Sequence, residues 1–184
     1  MSRRIVATEF VSLDGFMDEP GGWTEPFRSP EGGAFKWQEL RDADALLLGR
    51  RTYERFAAAW PAMAEGEFGE RMNSLPKHVA SRTLTETTWN ASLIEGDVAE
   101  GVGKLVDGQG GDLLLMGSGE LFTVLARHDL IDEYRLMVFP VILGSGAQFF
   151  DRTEDATNLR LTATHSFANG AVELVYQVLR GGEI

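Results

Sequence analysis

Residues 112–127, with the sequence DLLLMGSGELFTVLAR, decide the fold class of this chain. The unbroken apolar run at 113–116 predicts a strand buried on both faces of a sheet. A turn of two glycines and a serine follows, and the apolar residues then recur at the spacing of an amphipathic helix. This order of strand, glycine turn and helix indicates an α/β protein. Its backbone N–H groups at a helix N-terminus suit a phosphate or pyrophosphate, with a plain strand-to-helix connection as the alternative.

A second junction of the same kind follows the apolar run at residues 45–48. That run leads into Gly49-Arg50-Arg51-Thr52, where a helical pattern begins. Cations at a helix N-terminus oppose the helix dipole, so the two arginines indicate a negatively charged ligand. Two such junctions in one chain favour anion binding at both.

The bulk properties exclude several classes of protein. The chain has 184 residues, no cysteine and a formal net charge of −11. Its length suits a single domain over residues 1–184, and the absence of cysteine removes thiolate ligands, so we predict no metal site. The negative charge argues against nucleic acid and anionic membranes as partners. No apolar run is long enough for a signal peptide or a membrane span, so we expect a cytoplasmic protein.

The remaining patterns predict a mixed, mainly parallel sheet of about eight strands with helices on both faces. Strands are predicted at 3–13, 77–82, 92–95, 134–141, 159–167 and 171–179, and helices at 34–42, 66–76 and 97–106. The last two strands are joined by Asn169-Gly170, a strong hairpin signal. In the final strand alternate apolar residues predict that one face packs on the core while Glu173 and Gln177 face away from it.

The segment 16–33 is rich in proline and glycine and reads as an irregular loop. Its aromatic residues argue against disorder, and long loops of this kind commonly cover a binding site. We therefore predict that Phe16 and Trp23, with Trp37 on the following helix, contact the substrate.

Ser81 and Arg82 end another predicted strand. Together a hydroxyl and a guanidinium can grip a phosphate monoester, because the guanidinium offers paired donors. A solvated arginine at a strand end is the alternative.

Five short sequence motifs follow one another along the chain. They are Ser12-Leu13-Asp14-Gly15, Gly49-Arg50-Arg51-Thr52-Tyr53-Glu54, Ser81-Arg82, Gly117-Ser118-Gly119-Glu120-Leu121 and Pro140-Val141-Ile142-Leu143-Gly144-Ser145-Gly146. In this order the chain resembles the dihydrofolate-reductase-like superfamily. Within it, the chain resembles the branch typified by the pyrimidine reductase (RibD C-terminal) domain of riboflavin biosynthesis, including its small stand-alone members. The resemblance implies the three-layer fold of that superfamily.

The resemblance also implies NADPH as the cofactor. Carried over by position, Gly49, Arg50, Arg51 and Thr52 would hold the pyrophosphate and adenosine side, Ser81 and Arg82 the 2′-phosphate, and Gly117, Ser118, Gly119, Glu120 and Leu121 the pyrophosphate and nicotinamide ribose. Ala7 would face the nicotinamide through its backbone, and Gly15 is a further cofactor contact. A Rossmann site is a poorer explanation, because Phe122 stands where the third glycine belongs.

We therefore predict an NADPH-dependent reductase that delivers a hydride to a C=N or C=O carbon of a small substrate. It would resemble the 5-amino-6-(5-phosphoribosylamino)uracil reductase domain, although that branch usually has a basic residue where this chain has Phe16. A pterin or folate reductase is one alternative, and Glu39 and Asp42 are the acids on the helix where such an enzyme carries its carboxylate. An NADPH-binding protein without turnover is the other.

Asp14 is the predicted catalytic residue, as the acid at the end of the central strand beside the implied nicotinamide. It can bind a substrate hydroxyl or relay a proton, and a cap of the Asp14-Gly15 turn is the alternative role. The apolar antiparallel segment 134–141, together with the late strands, resembles the edge region through which members of this branch pair and predicts a homodimer.

Overall fold

The computed structural model describes residues 2–18, 20–150 and 156–180. Its strands are β1 (Ile5–Ser12), β2 (Ala43–Gly49), β3 (Lys77–Ala80), β4 (Ala91–Leu93), β5 (Asp112–Met116), β6 (Glu133–Phe139), β7 (Leu159–Ser166) and β8 (Val172–Val178). The α-helices are α1 (Pro20–Trp23), α2 (Pro30–Asp42), α3 (Arg50–Ala59), α4 (Gly66–Ser74), α5 (Val98–Asp107) and α6 (Gly119–Arg127), with short 3₁₀ turns at Glu25–Phe27 and Trp60–Ala62. In the described part of the chain, no helix has the length and apolar character to cross a bilayer.

The strands form one sheet in the order β4-β3-β2-β5-β1-β6-β8-β7. The strands from β4 to β6 are parallel, β8 runs antiparallel to β6, and β7 runs antiparallel to β8. Helices α2, α3 and α4 cover one face, where Leu40, Tyr53 and Met72 are buried, while α5 and α6 cover the other with Val102 and Phe122. The predicted fold class is confirmed.

The strand of the stretch 112–127, which is β5, lies at the centre of this sheet. Strand β5 pairs with β2 on one side and β1 on the other. Leu113 and Leu115 belong to the core on one face and Leu114 to the core on the other, and all three are at most 2% exposed. The apolar run thus has the two-sided burial that its sequence indicates, because crossover helices cover both faces of a parallel sheet.

Three expectations need correction. The segment 16–33 is not wholly irregular: it contains α1 and a 3₁₀ turn, and α2 begins at Pro30, where Ser29 caps it by accepting from the Gly32 N–H at 3.1 Å. The glycines of that first turn hid the helix start, since glycine is a poor helix former. Strand β6 lies inside the sheet, between β1 and β8, so the edge strand is β7.

The third correction concerns Glu173 in the final strand. Its side chain is wholly buried, although the alternating pattern predicted that it would face away from the core. Its carboxylate lies 3.5 Å from the Lys36 ammonium of α2, so a helix covers this face of β8 as well.

The sheet has a switch point between the neighbouring strands β1 and β5. From β1 the chain crosses through α2 to β2, whereas from β5 it crosses through α6 to β6, on the opposite side. Strand β5 ends at Met116, opposite Thr8, while β1 continues to Ser12 and pairs only with β6. A crevice therefore opens beside residues 9–12, at the place where open α/β sheets bind their ligands.

A substitution at Gly69 tests how tightly α4 packs against the loop that precedes it. A Cβ at Gly69 would lie 2.1 Å from the Met63 carbonyl oxygen, whereas one at Gly103, also within a helix, would meet no atom within 4 Å. We expect Gly69→Ala to lower the free energy of unfolding by about 2 to 3 kcal/mol, as overpacking does. Gly103→Ala should leave it unchanged or raise it by up to about 1 kcal/mol. Urea unfolding measures the free energy of unfolding of both variants. Equal values for Gly69→Ala and Gly103→Ala would contradict the tight packing around Gly69.

Candidate active site

A cleft of about 1660 Å³ opens at the switch point. The carboxyl ends of four parallel strands contribute to it through Glu9, Gly49, Ala80 and Met116. Small-molecule pockets are commonly about 300 to 1000 Å³, so this cleft has room for a large ligand and a second, smaller one.

The two glycine junctions meet in this cleft through Ser118. The Gly49 N–H donates to Ser118 Oγ at 2.8 Å, and that hydroxyl lies 2.8 Å from Thr52 Oγ1, to which it donates. A Cβ on Gly49 would lie 3.1 Å from Ser118 Cβ, and one on Gly117 would lie 3.2 Å from Thr52 Oγ1. The turns therefore pack against each other. As a result, the N-termini of α3 and α6 lie side by side at the carboxyl ends of β2 and β5.

Arginines make one wall of the cleft positive. Arg50, Arg51 and Arg82 line it, and within the described ranges Arg51 and Arg82 have no ion-pair partner, while Arg50 lies 3.3 Å from Glu54. Ser81 Oγ accepts from the N–H groups of Thr83 and Leu84 at 3.2 and 3.0 Å, which fixes the turn after β3. In a chain with a net charge of −11 this wall is a local concentration of positive charge.

The structure brings most of the predicted cofactor residues together. Those at 49–52, 81–82 and 117–121 all line the cleft, as does Phe16. Ala7 lies outside the lining, because it is 1% exposed and packs in the core. Gly15 also lies outside it, and its carbonyl oxygen accepts from the Phe149 N–H at 2.9 Å.

Trp23 and Trp37 are placed elsewhere. The Trp23 ring packs edge-on against Phe139 with centroids 5.5 Å apart, and its Nε1 donates to the Asp18 carbonyl at 2.7 Å. Trp37 packs in the core beside α4, 6.3 Å from the Phe68 ring. Other apolar side chains line the cleft instead, namely Leu40, Phe56, Trp60 and Phe68.

Asp14 lies outside the cleft lining and holds two loops together. Its carboxylate accepts from Ser12 Oγ at 2.6 Å and from the N–H groups of Leu143 and Gly144 at 3.1 and 2.8 Å. The Ser12 hydroxyl, followed by the two amides, lowers the pKa of Asp14. These contacts fit the turn-capping role that was the alternative to catalysis, because its oxygens are already occupied by protein donors.

A buried polar cluster lies at the other end of the cleft, and of its members sequence reasoning identified only Glu39. Lys36 Nζ donates to Thr8 Oγ1 at 2.9 Å and lies 3.1 Å from Glu39 Oε2. Thr8 Oγ1 donates to the same Glu39 oxygen at 2.8 Å. Thr8, Glu9, Lys36 and Glu39 line the cleft. A signal was present, because Glu9 is the charged residue in a central strand of apolar and hydroxyl side chains, and an acid in such a strand is rarely buried without a reason.

Glu9 is the member of this cluster with a carboxylate oxygen that makes no hydrogen bond in the described part of the chain. It is 8% exposed, and Oε1 accepts from the Phe10 N–H at 2.9 Å, whereas Oε2 has no hydrogen-bond partner in the described part of the chain. Burial raises the pKa of Glu9 to about 7, against the opposing effects of the Phe10 amide, Lys36, Arg55 and the Gly117 amide. Burial also raises the pKa of Glu173, whose oxygens likewise lack hydrogen-bond partners there.

The raised pKa of Glu9 makes the stability of the fold depend on pH. The unfolded chain releases this proton near pH 4.5 and the folded chain near pH 7, so the free energy of unfolding falls as pH rises between these values. One pKa unit corresponds to about 1.4 kcal/mol, so the loss due to Glu9 is on the order of 3 kcal/mol. Urea unfolding from about pH 5 to about pH 8 should show a weaker fall in Glu9→Gln. Parallel profiles for wild type and variant would contradict it.

These features define an α/β protein with two coupled glycine turns and a cationic wall at the switch point of a mixed sheet. The chain belongs to the RibD C-terminal domain family, whose profile matches residues 3–172. The family resemblance read from the motifs is thereby confirmed.

Similar proteins support the same assignment. The uncharacterized protein YyaP of Bacillus subtilis (strain 168) is 32% identical over 179 residues, which are 95% of this chain and 94% of that protein. A Shewanella sp. PV-4 protein provisionally named for riboflavin biosynthesis has a similar structure, with a TM-score of 0.73 and 22% identity over 98% of this chain and all of that one. Dihydrofolate reductase from Enterococcus faecalis, complexed with NADP(H), gives a TM-score of 0.67 and 14% identity over 97% of this chain and 99% of that one. Because these identities are low, the two structures bear on the fold alone. They show that this chain shares the dihydrofolate-reductase-like fold.

Proposed function

We propose that this protein is an NADPH-dependent reductase. The observation that carries the proposal is the Ser118 link, which sets two helix N-termini beside Arg50, Arg51 and Arg82 in one cleft. Helix N-termini and arginines are the donors that bind phosphate groups, and a dinucleotide with a 2′-phosphate carries such groups at two separate places. The Enterococcus faecalis enzyme of the same fold is a complex with NADP(H), which supports the choice of cofactor.

The residues of the cleft fit this cofactor from end to end. Ser81 and Arg82, after β3, would hold the 2′-phosphate, and the turns at 49–52 and 117–121 would hold the pyrophosphate. Gly117 has a φ of 56°, which a glycine adopts at no steric cost and which brings the backbone of its turn close to Thr52. When bound, the cofactor supplies a hydride, and the protein supplies position and charge.

The substrate would lie at the opposite end, between the buried polar cluster and the apolar wall. That end offers Thr8, Glu9 and Lys36 beside Phe56 and Trp60, a combination suited to a flat ring with polar edges. We propose a C=N or C=O carbon of such a ring as the hydride acceptor. Glu39, the acid on α2, is already engaged by Thr8 and Lys36, so a folate reductase that relies on a free carboxylate on that helix is a weaker candidate.

Oxidation of NADPH in the presence of a panel of substrates tests the reaction. The panel contains the riboflavin intermediate 5-amino-6-(5-phosphoribosylamino)uracil, dihydrofolate, a pterin and a quinone. Substrate-dependent loss of NADPH absorbance identifies a reductase. Tight NADPH binding with no turnover across the panel would favour the alternative, a binding protein without turnover.

A substitution of Arg82 tests whether the protein prefers NADPH to NADH. We expect wild type to bind NADPH more tightly than NADH, and Arg82→Ala to weaken NADPH binding roughly tenfold or more while NADH affinity changes little. The physical reason is the loss of a charge-assisted contact worth about 1.5 to 3 kcal/mol. Fluorescence titration of both cofactors measures this.

Arg160→Ala is the matched control for Arg82→Ala. Arg160 is an exposed arginine on β7, away from the cleft, and its removal alters the net charge by the same amount. If Arg160→Ala weakens NADPH binding as much as Arg82→Ala, the effect is one of overall charge. Equal affinities of wild type for NADPH and NADH would refute the 2′-phosphate site.

We further propose a homodimer that forms through β7. This edge strand has unpaired backbone groups along its outer side, and Leu161 on it is 49% exposed. Light scattering should give about twice the monomer mass of 20.3 kDa, and Leu161→Lys should shift the population to monomer. Met63→Lys, at a residue 48% exposed in the loop before α4, should not. A monomer mass for wild type at micromolar concentration would refute the dimer.

A further inference from the structure

The geometry points to Glu9 as the acid that donates a proton to the substrate, at the nitrogen or oxygen next to the carbon that accepts the hydride. This inference rests on the proposed reductase function and assigns a catalytic residue within it. Glu9 occupies β1 immediately beyond the end of β5, so it stands in the crevice of the switch point. A Cβ on Gly117 of the neighbouring turn would lie 3.7 Å from Glu9 Oε2, so the acid borders the proposed pyrophosphate turn.

The other acids near the cleft are unsuited to this role. Asp14 is bound to the amides of Leu143 and Gly144, and Asp18 accepts from the Ala147 N–H. Glu39 is held by Thr8 and Lys36. Glu120 lies at the start of α6, where its side chain is exposed to water and not buried against a ligand in the crevice.

Glu9 differs from these acids because its Oε2 is buried and makes no hydrogen bond among the described residues, although the nearby Gly117 amide lowers the pKa of the group slightly. A buried carboxylate without a partner is costly, whereas a protonated carboxyl in the same place carries a donor that a ligand can use. Glu9 Oε2 is therefore an oxygen that a bound substrate can satisfy, and Glu9 is a member of the cleft lining.

The proposed step balances in electrons and protons. Addition of a hydride to the carbon of a C=N or C=O group moves the π pair onto the nitrogen or oxygen. That atom takes the proton of Glu9, so a new N–H or O–H bond forms as the carboxyl O–H bond breaks. The resulting carboxylate faces the positive charges of Lys36 from α2 and Arg55 from α3, which stabilise it, and it recovers its proton from water.

The charges around Glu9 set the pH range of the step. Lys36 and Arg55 favour its ionised form, and burial favours the protonated form strongly enough that the pKa is about 7. Glu39 and Glu173 partly neutralise Lys36, at 3.1 and 3.5 Å from its ammonium. Since a general acid acts only when protonated, kcat should decline above about pH 7.

The first test observes Glu9 directly, without turnover. Protein labelled with ¹³C at the glutamate side-chain carboxyl carbons is titrated with acid by NMR, and the Glu9 signal is the one lost in Glu9→Gln. We expect it to titrate near pH 7 in the free protein. With NADP⁺ bound it should titrate at lower pH than with NADPH bound, because the oxidised nicotinamide ring carries a positive charge.

Glu173→Gln is the matched control in this test. Glu173 is as deeply buried and also faces Lys36, but it is outside the cleft lining. Its carboxyl signal, identified by its loss in this variant, should titrate alike with NADP⁺ and NADPH. A Glu9 signal that is equally insensitive to the cofactor's charge would overturn the inference.

The second test measures turnover of the panel compound that wild type reduces. Glu9→Gln should lower kcat by roughly 10²-fold or more and abolish the decline above pH 7, with little change in NADPH affinity, whereas Glu173→Gln should retain kcat. If wild type binds no NADPH, the reductase proposal fails and this inference fails with it. If wild type binds NADPH and turns over, but Glu9→Gln keeps the wild-type kcat and pH profile, the assignment of Glu9 alone is wrong.

Discussion

The hydroxyl group of Ser118 joins two strand-to-helix turns that lie more than 60 residues apart in the chain, and the shape of the cleft depends on it. It accepts from the Gly49 amide and donates to Thr52, so the beginning of α6 is fixed against the beginning of α3. Ser118 adopts a left-handed backbone conformation, with φ of 69°, that costs a non-glycine residue about 1 kcal/mol or more. The hydrogen bonds of its side chain offset this cost, and a glycine in its place would adopt the conformation but lose the link.

The sheet topology explains why this link matters. The chain leaves β1 for α2 on one face of the sheet and leaves β5 for α6 on the other face, so the two connections separate at the carboxyl ends of these neighbouring strands. Beyond the end of β5, β1 runs on with one edge unpaired by β5, which leaves a gap beside it. The turns at Gly49 and Gly117 border this gap on one side. The loop that Asp14 ties to the turn at 143–144 borders it on the other. Anchoring of both borders gives the cleft a preformed shape, which reduces the ordering cost of binding.

The buried polar cluster works against stability. Glu9 and Glu39 of this cluster, and Glu173 outside the cleft lining, share a single cation, Lys36, and oxygens of Glu9 and Glu173 lack hydrogen bonds within the described ranges. Apolar residues of similar size would avoid this desolvation cost. Local rules of folding are commonly broken at functional sites, and this cluster borders the cleft where we place the substrate. The cost therefore accompanies the chemistry that we propose for Glu9.

The sequence by itself determined the parts of this protein that depend on near neighbours in the chain. The apolar run of β5, the glycine turns and the helices after them are local patterns, and they identified the fold class and the residues at 49–52, 81–82 and 117–121 that line the cleft. The tertiary structure alone decided which side chains meet across distant elements. Asp14 finds its partners 129 and 130 residues away, and Lys36 meets Glu173 only because α2 crosses the face of β8. Trp23 and Trp37 face the core for the same reason, since the direction of an aromatic side chain follows from packing and not from its composition or spacing.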